Sequence, residues 1–282
     1  MYKIITKREL APGIKLMDIE APLIAKKAQP GQFAILRISP KGERIPLTIS
    51  DYDSQKGTVT VIFQEVGKTT KELGGMDEGD SILDFVGPLG NLSHLEGFKR
   101  VLLIGGGVGT APLYPQARRL HEMGTIVEII IGAKTSDLII LEDEMRSVCD
   151  RLYISTDDGS KDTKGFVTDV LKQLLEAGNR YDEVIAVGPA VMMKSVSQVT
   201  KEYGVKTVVS MNTIMIDGTG MCGGCRLTVD GKTKFACIDG PEFDGHEVDF
   251  DEVIRRQGMY KVEEKRALEV HECRLRGKID GK

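Results

Sequence analysis

The sequence predicts a β barrel joined to an α/β domain: a six-stranded antiparallel barrel, a parallel-sheet domain, then a small cysteine-bearing C-terminal subdomain. Three observations carry this. Up to residue 98 the chain reads as short strands separated by Gly and Pro turns, the pattern of a closed antiparallel sheet. From Arg100 onward, apolar runs alternate with helical patterns, which implies a parallel sheet. Finally, three of the five cysteines fall between residues 222 and 237, beside the run Gly218-Thr-Gly-Met-Cys-Gly-Gly-Cys225. The length of 282 residues suits two domains and an appendage, with expected boundaries 1–98, 99–209, 210–250 and a helical tail over 251–282.

The barrel strands are expected at residues 2–8, 14–20, 32–38, 45–51, 58–63 and 80–86. At the start of the fourth stands Arg44-Ile-Pro46-Leu47-Thr48, where a cation, a hydroxyl and exposed main chain could hold a pyrophosphate and the edge of a flat ring; a plain barrel strand with a surface arginine is the other reading, and the one these residues alone favour. Gln64-Glu-Val-Gly67-Lys-Thr69-Thr70 follows the fifth strand. Thr69 or Thr70 is expected to cap a helix there, turning its free N–H groups toward an anion.

In Arg100-Val-Leu-Leu-Ile104 the residues after the arginine are uniformly apolar, as a buried parallel strand requires. It feeds Gly105-Gly106-Gly107-Val-Gly109-Thr110-Ala-Pro112 and then a helical pattern. A glycine-rich turn between a strand and a helix N-terminus is a phosphate cradle. The remaining units are strands near 126–132, 151–155 and 183–187, the last ending in Gly188-Pro189-Ala-Val-Met-Met193. Ligands of such sheets bind at the strand carboxyl ends, where 105–109, Asp157-Asp158 and Gly188-Pro189 lie. Asp157 and Asp158 suit ribose hydroxyls and repel a 2′-phosphate, while Lys134, Lys161 and Lys164 keep NADP(H) open beside NAD(H).

Cys222 and Cys225 on a glycine-rich turn, with Cys237 returning from a short hairpin turned at Asp230-Gly231, form a three-thiolate set. Asp217 stands where a C-x4-C-x2-C run would begin, so Asp217, Cys222, Cys225 and Cys237 are the candidate ligands of a 2Fe-2S cluster. A zinc site using His246 or Asp217, or unligated thiols, are the other readings. The odd number of cysteines and the lack of a secretory leader argue against a disulfide and point to a cytoplasmic, reducing compartment. A net charge of −4 with interleaved signs gives no nucleic-acid signature, and no apolar run is long enough to span a membrane.

These segments together resemble the ferredoxin–NADP reductase family over nearly the whole chain. With the C-terminal cysteines, the resemblance narrows to electron-transfer subunits of type B dihydroorotate dehydrogenase and, more closely, to small (alpha) subunits of NADH-dependent reduced ferredoxin:NADP oxidoreductases, the electron-bifurcating transhydrogenases. The resemblance implies FAD on Arg44, Pro46, Leu47, Thr48, Ile62, Phe63, Gln64, Gly67, Thr69 and Thr70. It implies NAD(H) on Gly105, Gly106, Gly107, Gly109, Thr110, Pro112, Asp157, Asp158, Gly188, Pro189 and Met193. No side chain is expected to act as an acid or base, because hydride passes directly between nicotinamide and flavin. Electrons would then pass through the cluster to a larger subunit carrying a second flavin and 4Fe-4S clusters, where ferredoxin and NADP react. Other readings are service to dihydroorotate dehydrogenase or to a sulfide dehydrogenase or hydrogenase, a standalone NAD(P)H reductase, and a zinc-bearing interaction module. Two features depart from the wider family. Much of it carries Arg-x-Tyr-Ser, whereas here Leu47 replaces the tyrosine and Arg44 stands one residue further upstream, which leaves its contact with flavin open. Asp217 replaces a first cysteine, which is similar to the transhydrogenase type.

Overall fold

The computed structural model describes residues 1–279. Strands β1 (Tyr2–Ala11), β2 (Ile14–Glu20), β3 (Phe33–Arg37), β4 (Ile45–Asp53), β5 (Thr58–Gln64), β6 (Ser81–Ile82) and β7 (Asp84–Leu89) form one antiparallel sheet ordered β6-β1-β2-β5-β4-β3-β7. Seven strands stand where six were expected, because the last one divides. Its first half pairs with β1 and its second with β3, with the Leu83 N–H donating to the Ile38 carbonyl at 3.3 Å between them. The two sheet edges are therefore consecutive pieces of chain. That is how the sheet curls to near-closure and hides its edges. Ile4, Met17, Ile19, Ala34, Ile49, Val61, Phe63 and Phe85 fill its interior. Two helices accompany the barrel, α1 (Pro22–Ala25) and α2 (Lys68–Gly74).

The second sheet is built on β8 (Arg100–Gly106), β9 (Ile126–Ala133), β10 (Arg151–Thr156), β11 (Thr163–Lys164), β12 (Glu183–Val187) and β13 (Thr207–Ser210), all parallel. Its order, β11-β10-β9-β8-β12-β13, reverses direction at β8, so the carboxyl ends of β8 and β12 open onto one crevice. Helices α3 (Thr110–Glu122), α4 (Glu142–Arg146), α5 (Val167–Glu176) and α6 (Ala190–Glu202) belong to the same unit.

After β13 come the hairpin β14 (Arg226–Val229) and β15 (Lys232–Phe235), then β16 (Glu242–Asp244). β16, just after Cys237, pairs antiparallel with β13. The reason is the free edge of β13, whose main-chain groups need partners. The tail, expected to be one helix, is two: α7 (Phe250–Gln257) ends at Gly258, and α8 (Lys261–Ile279) follows. Val253 is buried, whereas Met259 and Tyr260 are about half exposed at the break. One apolar core runs through Phe33 and Ile35 of the barrel, Leu102 and Ile104 of β8, and Cys225, Leu227 and Cys237, so the C-terminal segment packs into both larger units. Among the described residues no helix is long and apolar enough to cross a membrane.

Candidate functional site

The cysteines are placed by glycine chemistry and hairpin register. Gly218, Gly220 and Gly223 hold φ of +76°, +87° and +66°, values that side chains disfavour, so the segment between β13 and β14 can fold tightly on itself. Asp230 and Gly231 both have positive φ, the signature of a two-residue hairpin turn whose twist matches its strands. The register pairs Arg226 with Phe235, which brings the residues just outside the hairpin together. Cys225 and Cys237 consequently lie with sulfurs 3.3 Å apart and are 2% and 3% exposed. The Cys237 N–H donates to Cys225 Sγ at 3.5 Å, and the Gly224 N–H to Cys222 Sγ at 3.4 Å. Burial, followed by the adjacent Cys225 sulfur, pushes the Cys237 thiol up to about 12. Cys222 is exposed.

Asp217 is tied to Cys222 through main chain: Oδ2 accepts from the Cys222 N–H at 2.7 Å and Oδ1 from the Thr219 N–H at 2.8 Å. These bonds hold its carboxyl below the usual carboxylate range. Thus Cys225 and Cys237 are joined directly, and Asp217 and Cys222 through the backbone. Among the described residues no group of three or more His, Cys, Asp or Glu converges closely enough to hold one metal ion. The donor chemistry nevertheless fits an iron–sulfur group. Two thiolates on one tetrahedral metal, with metal–sulfur bonds near 2.3 Å, sit about 3.8 Å apart. The Cys225–Cys237 pair needs little movement to reach that spacing, and main-chain N–H groups already point at two of the three sulfurs. Cys222 and Asp217 lie on the glycine-rich segment that can close over the pair. His246, the zinc alternative's ligand, is instead engaged at Nε2 with Thr200 Oγ1 at 3.1 Å.

On the barrel, Pro46, Leu47 and Thr48 pair with Ile35, Ala34 and Phe33 and remain half-buried, leaving a strip of β4 for a flat ligand. Ile62 and Phe63 are buried in apolar cores, so neither offers its side chain to a ligand. Gln64 is exposed at the end of β5. Gly67, rather than a threonine, is the N-cap of α2. Thr70 sits three residues into that turn, and its hydroxyl accepts from the N–H groups of Val66 and Gly67 at 3.1 and 3.0 Å. Thr69 is buried and donates to Glu43 Oε2 at 2.5 Å. Arg44 turns away from this strip: Nε donates to the Ile216 carbonyl at 2.9 Å and Nη2 to the Asp217 carbonyl at 3.5 Å.

In the crevice, β8 runs into Gly106, Gly107 turns with φ +56°, and α3 begins at Thr110, with Pro112 in its first turn. A Cβ at Gly109 would lie 2.3 Å from the Val187 carbonyl oxygen, and one at Gly105 would lie 2.8 Å from Thr110 Cα. These glycines let the loop press against β12. Thr110 is wholly buried and its Oγ1 has no hydrogen-bond partner. Gly188 and Pro189 face the loop, but Met193 does not. It is fully buried in the core under α6, and Met192 takes the position, its sulfur 2.4 Å from where a Gly106 Cβ would stand. Helical phase explains the error, since neighbouring residues differ by about 100° around the axis. Asp158 is spent locally, accepting from Ser160 N and Oγ at 2.9 and 2.6 Å, while Asp157 is exposed at the strand end. Lys161 pairs with Glu142.

Residues 212–249 match the family model of the iron–sulfur cluster binding domain of dihydroorotate dehydrogenase B, and residues 103–198 match that of the oxidoreductase NAD-binding domain. A dihydroorotate dehydrogenase B (NAD(+)) electron transfer subunit homolog of Thermotoga maritima is 48% identical over 269 residues, covering 95% of each chain. This chain belongs to the dihydroorotate dehydrogenase B electron transfer subunit family. A protein of the adh 3′ region of Clostridium beijerinckii is 54% identical over 281 residues, covering 96% of this chain and 95% of its own. The solved structure of an NADH-dependent reduced ferredoxin–NADP oxidoreductase, described for flavin-based electron bifurcation, superposes with a TM-score of 0.90 at 47% identity, covering 95% of this chain and 97% of that one. The family member described here therefore carries an NAD-binding oxidoreductase domain and an iron–sulfur domain in one chain, the first match spanning the 105–109 loop and the second spanning Asp217, Cys222, Cys225 and Cys237.

Proposed function

We propose that this chain is the small subunit of an electron-bifurcating ferredoxin/NAD(H)/NADP(H) transhydrogenase, exchanging electrons with NAD(H) at FAD and relaying them through a 2Fe-2S cluster to a larger partner. The observation that carries this is the packing of the cysteine segment into both larger units: a Cβ on Gly218, beside Asp217, would stand 2.8 Å from Ile35 and Leu89 of the barrel. A cofactor held by Asp217, Cys222, Cys225 and Cys237 is thereby seated against the unit that would hold the flavin. Flavin supplies the conversion between hydride and single electrons, and the cluster carries the single electrons.

The chain's own residues orient the reactants. The 105–109 loop and the start of α3 bind the dinucleotide pyrophosphate, with Gly188, Pro189 and Met192 closing the crevice and Asp157 on a ribose. Pro46, Leu47 and Thr48 present β4 to the flavin, with Gln64, Gly67 and Thr70 at its flank. In this reading, residues 1–98 bind FAD, 99–209 bind NAD(H), 210–250 hold the cluster and 251–282 form the tail. The partner is a cytoplasmic subunit bearing a second flavin and 4Fe-4S clusters, at which ferredoxin and NADP react. Service to a dihydroorotate dehydrogenase is the second reading, favoured by the similarity of residues 212–249 to the cluster-binding domain of dihydroorotate dehydrogenase B.

An anaerobic visible spectrum of the purified chain, with flavin and iron assayed and NADH then added, tests the proposal. Flavin bands and iron–sulfur absorption that bleach together are the expected result. Flavin with zinc in place of iron would refute the cluster. Co-purification identifies the partner and separates the two readings.

A further inference from the structure

Arg44 immediately precedes β4, yet its guanidinium bonds a segment more than 170 residues further along the chain, Nε donating to the Ile216 carbonyl at 2.9 Å and Nη2 to the Asp217 carbonyl at 3.5 Å. The contact lies where the glycine-rich segment presses on the barrel, since Ile35, which Gly218 abuts, pairs in register with Pro46 two residues beyond Arg44. Asp217 is held from both sides: its carboxylate takes the N–H groups of Thr219 and Cys222, and its carbonyl takes Arg44. The rigid, multi-donor fork of arginine suits two successive carbonyls reached from one strand end.

We propose that Arg44 is a positioning residue of the cluster segment rather than a flavin ligand, clamping the Ile216–Asp217 main chain to the barrel and raising the cluster's reduction potential. The proposal rests on the reading that Asp217, Cys222, Cys225 and Cys237 hold the cluster. Reduction adds one negative charge to the cluster. A guanidinium hydrogen-bonded to the main chain of a ligand residue stabilises that charge more than the oxidised form, and charge and hydrogen bonding are the levers that set such potentials. Arg44 also accounts for the displaced motif: one residue upstream of the flavin-motif spacing, it reaches the cluster segment instead of the strip of β4.

The test is a redox titration of the full chain as purified anaerobically, comparing wild type, Arg44→Gln and Arg44→Lys by the paramagnetic signal of the reduced cluster and by bound flavin. At the potential that half-reduces the wild-type cluster, Arg44→Gln is expected to show a reduced-to-oxidised ratio about tenfold lower, a downward shift of about 59 mV for a one-electron couple. Arg44→Lys, which keeps the charge and loses the fork, should shift less, and both should keep wild-type flavin content. An unchanged midpoint overturns the proposal; if flavin is lost at the same time, Arg44 is a flavin ligand. Should Arg44→Gln fail to fold, Arg44→Lys decides alone, and a wild-type midpoint together with a wild-type signal shape overturns the clamp. A wild-type chain without a cluster signal refutes the underlying site, and is distinguishable because it fails before any variant is compared.

Discussion

Gln116, on the second turn of α3, donates from Nε2 to Glu242 Oε1 at 2.7 Å, and Ser93 of the barrel's exit segment donates to the same oxygen at 2.7 Å. One carboxyl on β16 thus ties together the nucleotide unit, the barrel and the cysteine segment. Burial pushes the Glu242 carboxyl above the ordinary carboxylate range. Gln116 Oε1 is meanwhile buried without a partner. Glu242→Gln, which keeps the shape in neutral form, should unfold at nearly the wild-type temperature. Glu242→Ala, which strands Ser93 and Gln116, should lose about 1–3 kcal/mol in denaturant unfolding.

Glu183 is pushed up to about 7 by burial and then by the charge of Glu242, with Lys206 opposing. The sign follows from proton counting: between 4.5 and about 7 the folded chain holds a proton that the unfolded chain has released, so stability falls as pH rises through that window. Melting temperatures measured across it should decline in wild type and flatten in Glu183→Gln. An equally steep decline in the variant would assign the dependence elsewhere.

The cysteine set makes a separable prediction. Cys225→Ser or Cys237→Ser should lose iron and the long-wavelength absorption while retaining flavin, because the flavin strip on β4 shares no side chain with the hairpin. Asp217→Cys should still assemble a cluster but at a shifted midpoint, since a thiolate donates more electron density than a carboxylate. An unshifted midpoint would remove Asp217 from the ligand set.

Gly109→Ala places a methyl group 2.3 Å from the Val187 carbonyl oxygen and must spread the loop from β12. NADH-dependent flavin reduction followed by stopped flow should fall up to about 100-fold, the scale of a displacement near 1 Å. Reduction by dithionite should be unaffected.

Local patterns were legible wherever one physical cause dominates. The apolar run 101–104 pointed to a buried strand, and the glycines at 105–109 marked the tight turn after it. Asp230-Gly231 announced its turn because only such a pair adopts positive φ twice in succession. The cysteine spacing marked the residues that the hairpin register brings to its open end. Tertiary competition set the rest. Met192 rather than Met193 meets Gly106 because burial fixed the rotation of α6. Glu242, Gln116 and Ser93 are unremarkable in sequence, being far apart and carrying no motif.

By itself, then, the sequence determined the kinds of element, their order and the residue types able to hold nucleotide and iron, since these depend on backbone preference and side-chain chemistry within a few residues. Tertiary structure alone decided that residues 80–86 split to bring both barrel edges together, that 242–244 became a strand against β13, and that Arg44 reaches Ile216 and Asp217. Each of these satisfies a main-chain group on one segment with a partner distant in sequence. Such pairings are set by which edges and carbonyls the folded chain would otherwise leave bare, a condition that no local pattern records.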